Sequence, residues 1–265
     1  MRLKTTLCGL IIFMVIYSLY AQDNNQPDYK SMSVSELLPY AEKGVAEAQF
    51  CLGCEYSFGN EVTRDDKQAL KWFELSAKQG HPRAQFNLSS MYSNGDGTVQ
   101  NHKKAYKWNK LAAEQGDALA QHYLGLKYYE GVGIAQSYKN AMKWFRLAAE
   151  QEFAEAQCSI GIMYYFGQGV DQDYKESLKW LKLASEKGEE KALFNLGVMH
   201  ALGQGVIIDF EQAYFWFYVA ALRATEDNRE ACSKSRDKAA KEVDPASLTR
   251  IQSEAQAWLR DKGLL

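Results

Sequence analysis

Neither sign of charge dominates this chain: 31 lysines and arginines stand against 33 aspartates and glutamates, a formal balance of -2 at neutral pH. That balance lacks the basic footprint by which a protein holds a polyanion, so no nucleic-acid partner is expected. Histidine and cysteine are scarce as well, at four and five. The histidines, His81, His102, His122 and His200, are scattered, so Cys51-x-x-Cys54 lacks the second ligand pair of a zinc site and no metal is expected. The cysteine pair reads as free thiols or a local disulfide rather than a redox centre. No Ser-His-Asp, H-E-x-x-H or paired-carboxylate set stands apart, which leaves an enzymatic mechanism without a nucleophile. The glycine-rich turns have no lysine in Walker spacing, and acidic residues occupy the helix starts where a phosphate would sit, so no cofactor is expected either.

Long apolar runs are lacking too, except at the beginning. Arg2 and Lys4 precede the uncharged stretch from Leu7 to Tyr17, and a polar segment follows Ala21. This pattern predicts a signal peptide over residues 1–21, then a linker over 22–32, and a mature protein that is periplasmic or secreted. The run from Thr5 to Ala21 would reach roughly 25 Å as a helix, short of the ~30 Å hydrocarbon core. No membrane span is expected after signal cleavage.

What the chain has in abundance is repetition. The stretch from Ala141 to Gln151, AMKWFRLAAEQ, recurs in near copies from Ala69, Ala105, Ser177 and Ala213, each 36 residues after the last. Trp72, Trp108, Trp144, Trp180 and Trp216 fall on that beat, and their constant spacing makes them wedges between successive helical layers. Each unit reads as two helices. The first buries the triplets Ala48, Leu52, Tyr56; Ala84, Leu88, Tyr92; Ala120, Leu124, Tyr128; Ala156, Ile160, Tyr164; and Ala192, Leu196, His200. Beside that face recur Gly53, Gly125, Gly161 and Gly197, with Ser89 in the remaining unit. A glycine inside a helix costs about 1 kcal/mol against alanine, so its recurrence predicts a close helix crossing. The second helices open on N-cap residues in register, Asp65, Asn101, Ser137, Asp173 and Asp209, with Gln68, Glu176 and Gln212 placed as capping-box partners. The prediction is an all-α solenoid of helix-turn-helix repeats over residues 33–224, an N-terminal half repeat followed by five full ones. The beat stops after Ala221, and residues 225–265 read as capping helices.

The pattern A-x-x-x-L-G-x-x-Y-x-x-G-x-G-V, then Asp or Asn, then A-x-K-W-x-x-x-A-A-E-Q-G, resembles the Sel-one-like repeat (SLR) family, relatives of the tetratricopeptide repeat. Glu152 stands where the unit ordinarily ends in glycine, and His200 where it has tyrosine. The resemblance implies a right-handed α-superhelix and a non-enzymatic adaptor or scaffold that binds a protein or peptide. By the same similarity the first helices line the concave groove, and their off-core stripe faces a ligand. The stripe comprises Phe58; Phe86, Asn87 and Ser90; His122, Tyr123, Leu126 and Tyr129; Ile162, Tyr165 and Phe166; and Asn195 and Val198. Its aromatics suit peptide anchors, its amides suit a peptide backbone, and its residues vary between units while the core does not. The competing expectation is that several of these aromatics pack on the neighbouring unit. Some cysteine-rich members of the family are associated with penicillin binding, which gives an envelope hydrolase acting on β-lactam or peptidoglycan as an alternative. This chain lacks their cysteine pair in every repeat.

Overall fold

A computed structural model of the chain describes residues 27–265. The signal peptide expected over residues 1–21 and the first half of the linker lie outside the described residues. Helix α1 (Val34–Glu42) begins at Ser33, whose backbone N–H donates to the Glu36 carboxylate at 2.9 Å. Five helix pairs follow: α2 (Ala46–Phe58) with α3 (Asp66–Lys78), α4 (Pro82–Asn94) with α5 (His102–Glu114), and α6 (Ala118–Glu130) with α7 (Tyr138–Glu150). The series continues with α8 (Ala154–Phe166) and α9 (Tyr174–Glu186), then α10 (Glu190–Leu202) and α11 (Phe210–Arg223). Helices α12 (Glu226–Ala240) and α13 (Pro245–Asp261) close the stack. Each helix packs on its sequence neighbours through α11, and no strand occurs among the described residues. This is an α-solenoid, built from contacts local in sequence.

Local chemistry sets the boundaries. Each first helix ends on a glycine in the left-handed region, Gly59, Gly95, Gly131, Gly167 or Gly203. Each second helix opens on its expected cap: the side chains of Asp65, Asn101, Ser137, Asp173 and Asp209 all accept backbone N–H bonds from the first turn. The reciprocal half of the capping box is another matter. Among the described residues it forms at Ser33 and Glu36, whereas Glu176 turns outward to pair with Lys179. Glu152 adopts φ 62°, the only non-glycine residue in the left-handed region among those described. It keeps the backbone path of a glycine position without the freedom of glycine.

The core departs from expectation at the tryptophans. Only Trp72 is buried; Trp108, Trp144, Trp180 and Trp216 are half-buried, although each packs against a cluster holding core residues of the preceding unit. The deep wedge is the next residue along: Phe73, Phe145, Leu181 and Phe217 point into their own unit and meet its helical glycine. A Cβ on Gly125 would stand 2.5 Å from the Phe145 ring, and one on Gly53 2.7 Å from Phe73. The predicted close crossing is thus a ring, or in the fourth unit the Leu181 side chain, seated against bare backbone. Where the glycine is replaced by Ser89, the facing residue is the smaller Asn109, whose Nδ2 donates to the Ala120 carbonyl at 3.2 Å.

Beyond the fifth unit the stacking continues for one more helix. Helix α12 starts one full period after α10, with Cys232 buried in the place that Leu196 holds in the preceding unit. Its partner breaks the pattern, because α13 packs back on α11 through Trp258 against Trp216, at 5.5 Å between ring centroids. The cap is therefore a degenerate sixth first helix followed by a helix folded onto the last regular unit.

Candidate functional site

The first helices bury Ala and Leu or Ile at i and i+4 completely, so the side chains on either side of that row are left facing outward along the layer of first helices. Between α6, α8 and α10 this layer opens into a hollow of about 360 Å³. Five of the predicted stripe residues meet there: His122, Tyr123, Leu126 and Tyr129 from α6 and Ile162 from α8. Cys158, Ser159 and Glu155 from α8, the N-cap Glu189 and Lys191 of α10, and Phe145 from below complete its wall. The floor is apolar and aromatic, and the rim toward the helix N-termini carries the charges.

The hollow has a defined electrostatic character. His122 is buried, its ring 5.4 Å from both Phe145 and Phe153, and its Nε2 lies 3.2 Å from the Ser159 hydroxyl. Burial, with a smaller contribution from Lys191, depresses its pKa to about 4, so the ring is neutral at ordinary pH. Burial first, and the neighbouring Glu155 second, push the Glu189 carboxyl above the usual range. Tyr123 is exposed and stands edge-on to Phe86 at 5.2 Å, which places Phe86 on the shoulder of the hollow.

Two further recesses continue along the layer toward the cap. One, of about 200 Å³, lies between α10 and α12 and is lined by Phe194, Asn195, Asn228 and Cys232, with Lys191 shared between it and the larger hollow. The Asn195 amide is turned back to the Lys191 carbonyl at 2.7 Å. The other, of about 390 Å³, is lined by Val198, Ala201, Phe217 and residues of α12.

Other stripe residues are placed differently. Tyr129 and Tyr165 serve as ties between units: the Tyr129 hydroxyl donates to Gln168 Oε1 at 2.7 Å, and Tyr165 makes the equivalent bond to Gln204 one period later. Their rings also pack on Tyr138 and Tyr174. For these two the expectation of packing on the next unit is correct, while Tyr129 still contributes to the wall. Phe58 and Phe166 are exposed at helix ends, and Asn87 and Ser90 are half-buried on α4, all outside the three recesses. Cys51 and Cys54 are free thiols, and burial raises the pKa of both, to about 11 and about 12.

Sequence reasoning missed Glu155, Glu189, Lys191 and Ser159. The signal was present: the second residue of the first helix runs Glu47, Arg83, Leu119, Glu155, Lys191, as variable as the stripe itself.

Comparison with known structures fits this architecture. A protective antigen of uropathogenic Escherichia coli displaying an SLR fold is 31% identical over 88% of this chain and 56% of its own, with a TM-score of 0.70. A Sel1 repeat protein from Oxalobacter formigenes is 33% identical over 76% of this chain and 59% of its own, with a TM-score of 0.66. A putative Sel1 repeat protein from Klebsiella pneumoniae, 20% identical with a TM-score of 0.50 over 79% of this chain and 100% of its own, shares the fold. The chain thus spans 56% and 59% of the length of the first two relatives. Among curated proteins none matches. The Sel1 repeat model matches residues 46–81, 82–117, 118–153, 154–189 and 190–224, and the chain belongs to the Sel1 repeat family.

Proposed function

We propose that this chain is an exported, non-enzymatic adaptor that binds a protein or peptide segment along the layer formed by its first helices. Sel1 repeats generally mediate protein–protein interaction. The observation that carries the assignment to this surface is the convergence of five variable stripe residues on one hollow between three consecutive units. Its aromatic floor offers desolvated anchor sites, and its charged rim offers orientation. Export rests on the N-terminal sequence pattern, and the protective-antigen description of the Escherichia coli relative is in keeping with it.

Affinity capture from the native cell envelope, with the wild type and a Tyr123→Ala/Ile162→Ser variant compared by mass spectrometry, tests the reading. Neither side chain is deeply buried, so the variant keeps its fold, checked by circular dichroism. A partner retained by the wild type and lost from the variant supports the assignment. Equal capture of every partner by the folded variant ends it.

A further inference from the structure

We infer that the hollow between α6, α8 and α10 is selective for an extended peptide segment that presents a lysine or arginine two positions from an aliphatic or aromatic side chain. The inference rests on the groove reading above and adds the chemistry of the partner. Its basis is charge complementarity within a shaped cavity. Two carboxylates, Glu155 and Glu189, edge the same hollow, against the single cation Lys191. Among the described residues neither carboxylate is engaged in an ion pair, unlike Glu176 with Lys179 and Glu152 with Lys187, so both are open to a cation supplied by a partner. Burial and mutual repulsion hold the Glu189 carboxyl above its ordinary range, the condition that an arriving cation relieves. His122, neutral in this environment, does not oppose that cation.

The geometry supplies the second half of the recognition element. The acidic rim lies at the N-terminal ends of α8 and α10, while Ile162 stands about two turns beyond Glu155 on α8 and Leu126 holds the same register on α6. At ~1.5 Å per residue, that separation is about 10 Å along the helix axes. Successive side chains of an extended segment point to opposite faces, so the two that can enter one hollow stand at i and i+2, about 7 Å apart along the backbone. A basic side chain can then reach the rim while the side chain two residues away fills the floor. Lys191 sits between this hollow and the next recess, so its charge discriminates against a second cation and favours an acidic residue further along the segment.

The test uses a phage-displayed library of random twelve-residue peptides selected on the wild-type protein, with selected sequences synthesised and their affinities measured by fluorescence anisotropy. The expected result is enrichment of Lys or Arg two positions from Leu, Ile or Phe, with binding weakened about tenfold by Glu155→Gln/Glu189→Gln and strengthened a few-fold by Lys191→Gln. Selected peptides that lack a basic residue and ignore the Glu→Gln changes, yet are lost by Tyr123→Ala/Ile162→Ser, overturn the cation preference and leave the groove reading standing. Selected peptides that bind the Tyr123→Ala/Ile162→Ser variant as well as the wild type overturn both. So does a selection that enriches no sequence.

Discussion

At the scale of single residues, neighbouring aromatics in one helix hold different parts of the stack. Phe145 is 1% exposed and presses on the Gly125 backbone of its own unit, while the half-buried Trp144 packs on a cluster shared between units, Ala112 and Ala113 of the one before and Ala120 and Leu124 of its own. Emptying a site like that of Phe145 costs about 3–5 kcal/mol, whereas a half-exposed side chain loses a smaller transfer term. Phe145→Ala should therefore lower the denaturation midpoint far more than Trp144→Ala, whose cost is about 1–2 kcal/mol by the same reasoning. Equal losses in urea titrations would contradict this division. His122 makes a pH-dependent case. Its folded-state pKa of about 4 lies below the ordinary imidazole value of 6.5, so the unfolded chain binds more protons between those limits. Stability from this residue is present at neutral pH and is lost as pH falls from about 6.5 to about 4, by about 2–3 kcal/mol. Glu189, shifted upward, works in the opposite sense in acid. A His122→Phe variant should lose the His122 part of the slope in melts taken across that range; an unchanged slope would show that the ring is not held neutral.

At the scale of elements, a ladder of glutamines joins the units. Gln79 Nε2 donates to Gln49 Oε1 at 2.7 Å, Gln115 to Gln85 at 2.7 Å and Gln151 to Gln121 at 2.8 Å. Each acceptor also donates from its own Nε2 to a carbonyl of the preceding unit: Ala41, Ala77 or Ala113. In the fourth unit the ladder fails. Lys187 occupies the donor's place and instead holds the Glu152 carboxylate and carbonyl, leaving the buried Gln157 Oε1 without a partner. A buried amide oxygen left unbonded costs about 1–3 kcal/mol, and an exposed ion pair contributes about 0–1 kcal/mol. Lys187→Gln should thus raise stability by about 1 kcal/mol. A lowered melting midpoint would sink the ladder account. The same comparison explains the glycine column, where Ser89 is tolerated because Asn109, not a ring, faces it.

At the scale of the whole molecule, a solenoid separates the work of holding the stack from the work of recognition. Contacts run between sequence neighbours, so one row of each first helix is committed to the core and the adjacent rows are free to differ. That is why the repeat was legible in the letters: alanine, leucine, glycine and the N-caps recur because each unit meets the same neighbour, and what recurs can be read without coordinates. The stripe was legible as the part that varies, and five of its members meet in one hollow. Which members tie the units together was not, since Tyr129 and Tyr165 share one sequence pattern with true surface aromatics until their hydroxyls are seen tied to Gln168 and Gln204.

The sequence by itself determined the fold class, the five units, their caps and the row of residues that stays out of the core, because these follow from periodicity and local backbone chemistry. Only the tertiary structure decided that Phe145 and not Trp144 is the deep wedge, since consecutive residues on a helix lie about 100° apart and either could face inward. It alone brought Glu155, Glu189 and Lys191 to the rim beside His122. Those residues come from different units, and no spacing within a unit records how closely the next one is stacked.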